Sequence, residues 1–433
     1  MKKFNILDYG ARMCDSLQTG AIQAAIDDCF RAGGGRVIIP CGVFLTGGLR
    51  IRSNVELYLE SGAILIGSRD WQDYFGFAED RLEPVEIREK PDGLCSSTWE
   101  TSRWCNALIR AFDAHDFAIV GEKGSYIDGA NCYDPHGEQK FRGPHGMCFW
   151  RCHGIRLEGY TFMHSGNWFH AIFQSQDITV RNLTCLGGHD GVDLRSCDHV
   201  LVEHCRFDVG DDCIAGFDNS DVVVRDCIMN TGCHAIRFGG NNVLFENCTS
   251  DDSGFGHRRS LSDEAKKNGW LTNGTSRRNV QAPFNYYCDF RAQIRHPVER
   301  ITLRNSTFKN CCELIRVEFD GLHQWCCNRP LTSFTYESCN IRGLSLPGNL
   351  HSDETERLNF KMKDCLITSR DGVGAFPIFG AKNCASIELE NVTVLGFEAP
   401  FVEIDDASCF TVKGGTPIEV KGTSALEETR KIQ

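Results

Sequence analysis

Four residues carry the chemistry this sequence offers. Asp190 stands in GGHDGVDL, Asp211 and Asp212 in VGDDCIAG, and His234 in TGCHAIRFGG, with 22 residues from Asp190 to Asp212 and 22 more to His234. A repeated step of that kind returns a side chain to one side of a coiling chain. Three carboxylates and an imidazole would then face one patch on consecutive rungs, about 4.8 Å apart if the rungs are paired strands. Like charges that close cannot all ionise freely, so at least one carboxyl is expected to keep its proton near neutrality. A proton donor beside ionised carboxylates suits cleavage of a glycosidic bond. Two plainer readings compete. Aspartates are common at turns, where they cap backbone groups, and that is the expectation for Asp193, Asp208, Asp218 and Asp226. An acidic cluster also suits calcium, but calcium leaves the histidine unexplained.

The positioning elements follow from an internal repeat. A short phrase recurs as HGIRLEG at His153, QDITVRN at Gln176, DHVLVEHC at Asp198, SDVVVRDC at Ser220 and NNVLFENC at Asn241. It returns as ERITLRN at Glu299, LNFKMKDC at Leu358 and SIELENV at Ser386. The first apolar positions of the run are Ile155, Ile178, Val200, Val222 and Val243, with steps of 21 to 23 residues. Each phrase alternates with period two and is rich in Val and Ile, so each is a short strand. No helical pattern intervenes, so a parallel β-helix is expected rather than a βαβ sheet. Cys205, Cys227 and Cys248 keep the same step and are expected to stack inside as a thiol ladder.

One helix is expected, over Thr19 to Gly35. There Ala21, Ile22, Ala25, Ile26 and Phe30 follow helical spacing and a glycine run stops it. It would cap the open end of the coil stack, with Arg36–Pro40 and Asn54–Glu60 as the first strands. Two long segments break the rhythm. Residues 68–105 are rich in aromatics (Trp71, Tyr74, Phe75, Phe77, Trp99, Trp104), and residues 250–298 fill a gap of 58 between Val243 and Ile301. Solenoid insertions often form the binding face. The second carries eight basic residues, Arg258, Arg291 and Arg295 among them, against five acidic ones, with Trp270, Tyr286 and Tyr287 available to stack on a ligand. The whole is expected to be a single domain over residues 1–420, followed by a polar tail, 421–433.

Composition narrows the function. The 433 residues carry 46 Lys plus Arg against 58 Asp plus Glu, a net charge of −12. That balance argues against a general nucleic-acid binder, and no run approaches the ~20 apolar residues of a membrane-spanning helix. Asp8 interrupts any apolar leader core after Lys2 and Lys3, so a cytoplasmic location is expected. Most of the 24 cysteines are then expected to be reduced and buried. Cys311–Cys312 and Cys326–Cys327 lack CxxC spacing, and no metal and no cofactor are expected.

With these residues in view, the chain resembles the polygalacturonase family, glycoside hydrolase family 28. The resemblance spans nearly its whole length. FNILDYGAR, AIQAAI, GGGRVIIPCGVFLTGGL and LESGAIL look like the family's N-terminal region, and ALIRA, IVGEKGSYIDG and HSGNWFHAIF its next landmarks. The family's Asn-Thr-Asp falls on Gly188-His189-Asp190, its Asp-Asp on Asp211-Asp212, its Gly-His-Gly on Cys233-His234-Ala235 and its Arg-Ile-Lys on Arg316-Val317-Glu318. The resemblance implies an all-β, right-handed single-stranded parallel β-helix with an N-terminal capping helix, and hydrolysis by single displacement with inversion. It makes Asp211 the general acid, Asp190 and Asp212 the bases that activate water, and His234 the residue that tunes the acid or holds substrate. Trp168, His189, Trp270, Arg237, Arg316 and Glu318 are the expected substrate contacts. Glu318 stands where the family has a uronate-binding Lys, and Arg237 and the basic insertion are the candidates to replace it.

The function expected is exo-acting cleavage of pectic or related, uronate-containing oligosaccharides inside the cell. A β-helix lyase or fructotransferase is a second reading, though a lyase should show a calcium cage with an Arg base and no histidine in step. A non-catalytic carbohydrate-binding β-helix is the third, and it predicts carboxylates scattered out of register. An oligosaccharide is the only partner expected, with no nucleic acid and no membrane.

Overall fold

Each repeated phrase becomes a strand paired in parallel with the equivalent strand of the next coil. The computed structural model describes residues 1–74, 106–250, 254–268, 277–289, 295–321, 325–370, 372, 374–405 and 407–422. Phe75, Phe77, Trp99, Trp104, Trp270, Arg291 and the tail from residue 423 lie outside them. The chain forms two compact units, and Asp211 is the last residue of the first before Asp212 opens the second. The inserted segment from Phe255 to Arg277 returns to the first unit.

In the first unit Phe117, Ile155, Ile178 and Val200 lie side by side on successive strands. In the second, Val222, Val243, Ile301, Phe334, Phe360, Ile387 and Phe410 do the same. Both units are therefore parallel β-helices, with the ladder of equivalent apolar residues as their core. Burying each Val, Ile or Phe contributes ~1.5–3 kcal/mol. Val243 pairs directly with Ile301, so the 58-residue gap is one coil plus an excursion, and the register survives it.

The polar pair that closes each phrase has a backbone cause. Its second residue adopts a left-handed conformation: Asn182 and His204 in the first unit, and Asp226, Asn247, Asn305, Ser338, Asp364 and Asn391 in the second, with φ between 50° and 56°. Asn and Asp tolerate that region best among residues with a side chain. Their side chains also link rung to rung, with Asn247 Nδ2 donating to Asp226 Oδ1 at 3.1 Å and Asn391 Nδ2 to Asp364 Oδ1 at 3.0 Å. The cysteine that follows turns its thiol back on the carbonyl two residues before it. Cys205 reaches Glu203 O at 3.3 Å, Cys227 reaches Arg225 O at 3.2 Å and Cys248 reaches Glu246 O at 3.4 Å. These three cysteines are buried free thiols that cap coil corners as well as fill space. Asp226 is the turn residue expected, and Asp218, at φ 57°, caps the Arg295 N–H at 2.9 Å. Asp193 and Asp208 are not turn caps: they lie in strands and pair with Arg195 at 2.7 Å and Arg206 at 2.6 Å.

The capping helix runs from Thr19 to Arg31 and buries Ile22, Ala25, Ile26 and Cys29. Gln23 pins it, accepting from Arg50 N at 2.8 Å and donating to Arg50 O at 3.0 Å. The helix is shorter than expected because Gly33 to Gly35 already adopt positive φ and Gly35 opens the strand to Ile39. Phe30 is not on the buried face: it is exposed, with the Arg52 guanidinium over its ring.

Candidate active site

In the first unit, Asp190 lies between strands Thr184–Gly187 and Val192–Arg195, and Asp211 follows strand Arg206–Val209. One carboxylate oxygen of each lies within 4.8 Å of the other. Gly210 lets the chain come together here. A Cβ at that position would stand 2.6 Å from Gly256 O and 2.9 Å from Gly188 Cα, so the inserted segment passes in close backbone contact. It is fixed there by Arg258 N donating to Gly188 O at 3.2 Å.

This approach delivers His257 to Asp211, a contact the sequence did not reveal. His257 Nε2 lies 2.5 Å from Asp211 Oδ2, and Arg142 lies 3.7 Å from the same oxygen. His257 Nδ1 accepts the Arg259 N–H at 2.7 Å, so the ring proton is assigned to Nε2 and points at the carboxylate. Arg142 is itself oriented by Asn167 Oδ1 at 2.8 Å. Burial alone would push the Asp211 carboxyl up, but His257, Arg142 and Arg259 hold it well below the usual carboxylate range. Burial lowers the His257 pKa despite the Asp211 carboxylate, and the Arg142 charge works in the same direction as burial. The pair is an ionised aspartate receiving a neutral imidazole's N–H. The expectation that a crowded carboxyl keeps its proton therefore fails at Asp211, because the insertion brings in donors that no spacing rule could foresee.

Several expected substrate contacts are structural instead. His189 is fully buried, stacked on Phe141 and edge-on to His257, and burial followed by the nearby Arg142 and Arg258 charges keeps it neutral. Trp168 is buried with Phe112, Trp150 and Phe173, under the Arg195 guanidinium. Arg258 is 1% exposed and spends its guanidinium on the carbonyls of Asn131, Gly166, Cys132 and Lys266. Arg295 is bound to Asp218. Neither arginine is placed to replace a substrate contact. Trp270 and Arg291 lie outside the described residues.

In the second unit, Asp212 precedes strand Ile214–Arg225 and His234 precedes strand Ile236–Glu246. Asp212 Oδ1 receives the His234 backbone N–H at 3.2 Å and faces its Nδ1 at 3.0 Å. Asn285 Nδ2 faces His234 Nε2 at 3.2 Å. These partners assign the proton to Nδ1 and leave Nε2 as the acceptor. Arg237 lies 3.7 Å from Asp212 Oδ2, over the faces of Tyr287 and Trp325 at 4.3 and 5.2 Å. Burial works against its charge, but the Asp212 carboxylate holds it firmly protonated. Its Nε is buried without a hydrogen-bond partner among the described residues.

Register explains which polar residues line up here. Ala215, Arg237, Asn285, Arg316 and Asn349 form one column on successive strands. Arg237 and Arg316 are two rungs apart, about 9.6 Å at the usual strand spacing, with Asn285 between them. Arg316 is half-buried and held by Glu313 at 3.0 Å. Glu318 is exposed and accepts from Asn349 Nδ2 at 2.6 Å. Asn285 could have been found by carrying the coil register across the insertion; Arg142 and His257 had no such signal.

No protein-family profile matches the chain. Over 213 residues, 46% of its length, it is 26% identical to a probable polygalacturonase of Vitis vinifera, covering 41% of that protein. Over 137 residues, 31% of its length, it is 46% identical to an exo-poly-alpha-D-galacturonosidase of Dickeya chrysanthemi, covering 20% of it. The chain thus spans less than half the length of these curated relatives. The crystal structure of a hyperthermoactive exopolygalacturonase from Thermotoga maritima superimposes with a TM-score of 0.60 at 19% identity, covering 95% of this chain and 92% of that one. The fold is a right-handed parallel β-helix like that of the exopolygalacturonase structures it superimposes on.

Proposed function

We propose that the protein is a glycoside hydrolase that removes sugar units from the ends of galacturonan or a related uronate-containing oligosaccharide. The observation that carries this reading is the 22-residue step joining Asp190, Asp212 and His234, with Asp211 beside Asp212 in the chain. Each carboxylate is buried and engaged by an imidazole or by another carboxylate. Similarity to proteins named polygalacturonase and exo-poly-alpha-D-galacturonosidase supports the substrate class.

In this reading Asp211 protonates the leaving oxygen, and Asp190 and Asp212 orient and activate the water. Asp211 is an ionised carboxylate in the free protein, so its proton must be taken up when substrate arrives. A uronate brings a negative charge into a desolvated site, and a neighbouring like charge favours the protonated acid. Arg237, over the rings of Tyr287 and Trp325 with no hydrogen-bond partner for its Nε among the described residues, and Arg316 in the same column are the groups that would grip the uronate carboxylate. Arg suits that task because its fork matches a carboxylate. His234 presents Nε2 with Asn285, an acceptor and a donor for sugar hydroxyls.

Inversion comes from the family resemblance. One oxygen of Asp190 and one of Asp211 lie within 4.8 Å of each other, so the two carboxyl groups face the same point. The anomer of the fresh product therefore decides whether Asp190 handles water or attacks the sugar itself. Action inside the cell on short fragments is part of the same proposal. Assaying reducing-sugar release from uronate and neutral oligosaccharides of matched length tests the reading. Release from the uronate series supports it, and release from the neutral series alone rejects it.

A further inference from the structure

Cys233 takes no part in the chemistry above, yet its sulfur lies against the catalytic imidazole. Cys233 Sγ is 3.3 Å from His234 Nδ1, Asp212 Oδ1 is 3.0 Å from the same nitrogen, and all three ligand atoms lie within 4.8 Å of one another. Zinc bonds of about 2.3 Å to sulfur and about 2.0–2.1 Å to nitrogen and oxygen give tetrahedral edges of roughly 3.5 Å for N to S and 3.3 Å for N to O. The two edges that meet at His234 Nδ1 stand within a few tenths of an ångström of those lengths, and the third, from sulfur to oxygen, is under 4.8 Å. Cys, His and Asp are also the donor types a borderline metal prefers. We propose that Cys233, His234 and Asp212 form a zinc site, and that zinc bound there silences the enzyme by occupying Asp212 and His234.

The proton balance is definite. Zinc displaces the thiol proton of Cys233, which leaves to solvent. The proton on His234 Nδ1 is exchanged for one on Nε2, where a rotated Asn285 amide can accept it. Asp212 contributes a carboxylate oxygen. One proton is released per zinc bound, so binding weakens as pH falls. Three protein ligands leave a fourth position for water, the pattern of an accessible rather than a structural site. Arg237, 3.7 Å from Asp212 Oδ2, opposes a second cation, which makes the site a reversible one.

The silencing rests on the hydrolase reading; the binding does not, and the two are measured separately. Cobalt(II) is titrated into wild-type protein and into Cys233→Ala, and thiolate-to-cobalt charge-transfer absorption is followed, with Cys233→Ser as a second variant in case the alanine protein folds poorly. One equivalent of that absorption should be present in the wild type and missing from the variants. In parallel, the zinc concentration that halves hydrolysis should rise by about tenfold or more in Cys233→Ala, since loss of even an outer-shell partner costs 10–100-fold in affinity. Equal cobalt spectra in wild type and variants would overturn the site. Unequal spectra with unchanged zinc inhibition would overturn the silencing alone.

Discussion

Replacing His257 with Phe should move the basic limb of the pH–rate profile upward. In the folded protein the His257 Nε2–H lies on Asp211 Oδ2 at 2.5 Å, a bond made to the ionised form of the acid. Phe keeps the ring and its contact with His189 but offers no donor. A hydrogen bond to a charged group contributes about 1.5–3 kcal/mol. At 1.36 kcal/mol per unit, losing it should raise the Asp211 pKa by roughly one to two units. The sign follows from the role. A general acid works in its protonated form, and the free enzyme's Asp211 is held well below the usual carboxylate range, so the wild type should favour acidic pH and lose kcat/KM as pH rises. In His257→Phe that decline should begin roughly one to two units higher, even if the maximum is lower because Asp211 is less firmly placed. The assay is kcat/KM for a short oligogalacturonide across pH, with folding checked at each point. An unmoved limb, or one moved toward acid, would refute the assignment of Asp211 as an acid tuned by His257.

Other outcomes follow from the same contacts. Asp211→Asn should fold normally and lose activity by ~10²–10⁴-fold, the usual worth of a general acid; near-normal turnover would remove Asp211 from that role. Arg237→Met should raise KM for uronate oligosaccharides by roughly 10- to 100-fold, the loss of a charge-assisted bond, with little change for any neutral analogue. Equal effects on both would deny it the carboxylate. Gly210→Ala should destabilise the protein by about 1–3 kcal/mol as in overpacking, because its Cβ meets backbone at Gly256 and Gly188 rather than a movable side chain; thermal denaturation reads this directly. Cys227→Ser should cost about 1 kcal/mol, the low end for a buried hydroxyl, since the Arg225 carbonyl stays available to it. A wild-type melting temperature would deny the corner-capping role.

The coil was readable because its causes are local and repeated. Ile155, Ile178 and Val200 alternate with polar neighbours, and each returns after 22 or 23 residues, so period and register could be taken from the chain alone. The same regularity singled out Asp190, Asp211, Asp212 and His234. What escaped notice came from outside the repeat. His257 reaches Asp211 because Gly210 lacks a side chain and lets an excursion of the chain pass close to it. Arg142 arrives from an irregular stretch that has no period. Arg258 stood among the basic residues of the insertion, yet its guanidinium is bound to the backbone carbonyls of Asn131, Cys132, Gly166 and Lys266. Trp168 and His189 were expected among the substrate contacts, and both are buried. A pattern reports which side of a coil a residue faces; it does not report what another segment lays over it.

The most direct test of Asp211 as the acid of a chain-end hydrolase is a proton NMR time course of an oligogalacturonide digested by the wild type and by Asp211→Asn. Saturated uronic acid should be released from chain ends, first in the inverted anomeric form, and almost none with the variant. A 4,5-unsaturated uronide, or equal product from both proteins, would contradict it.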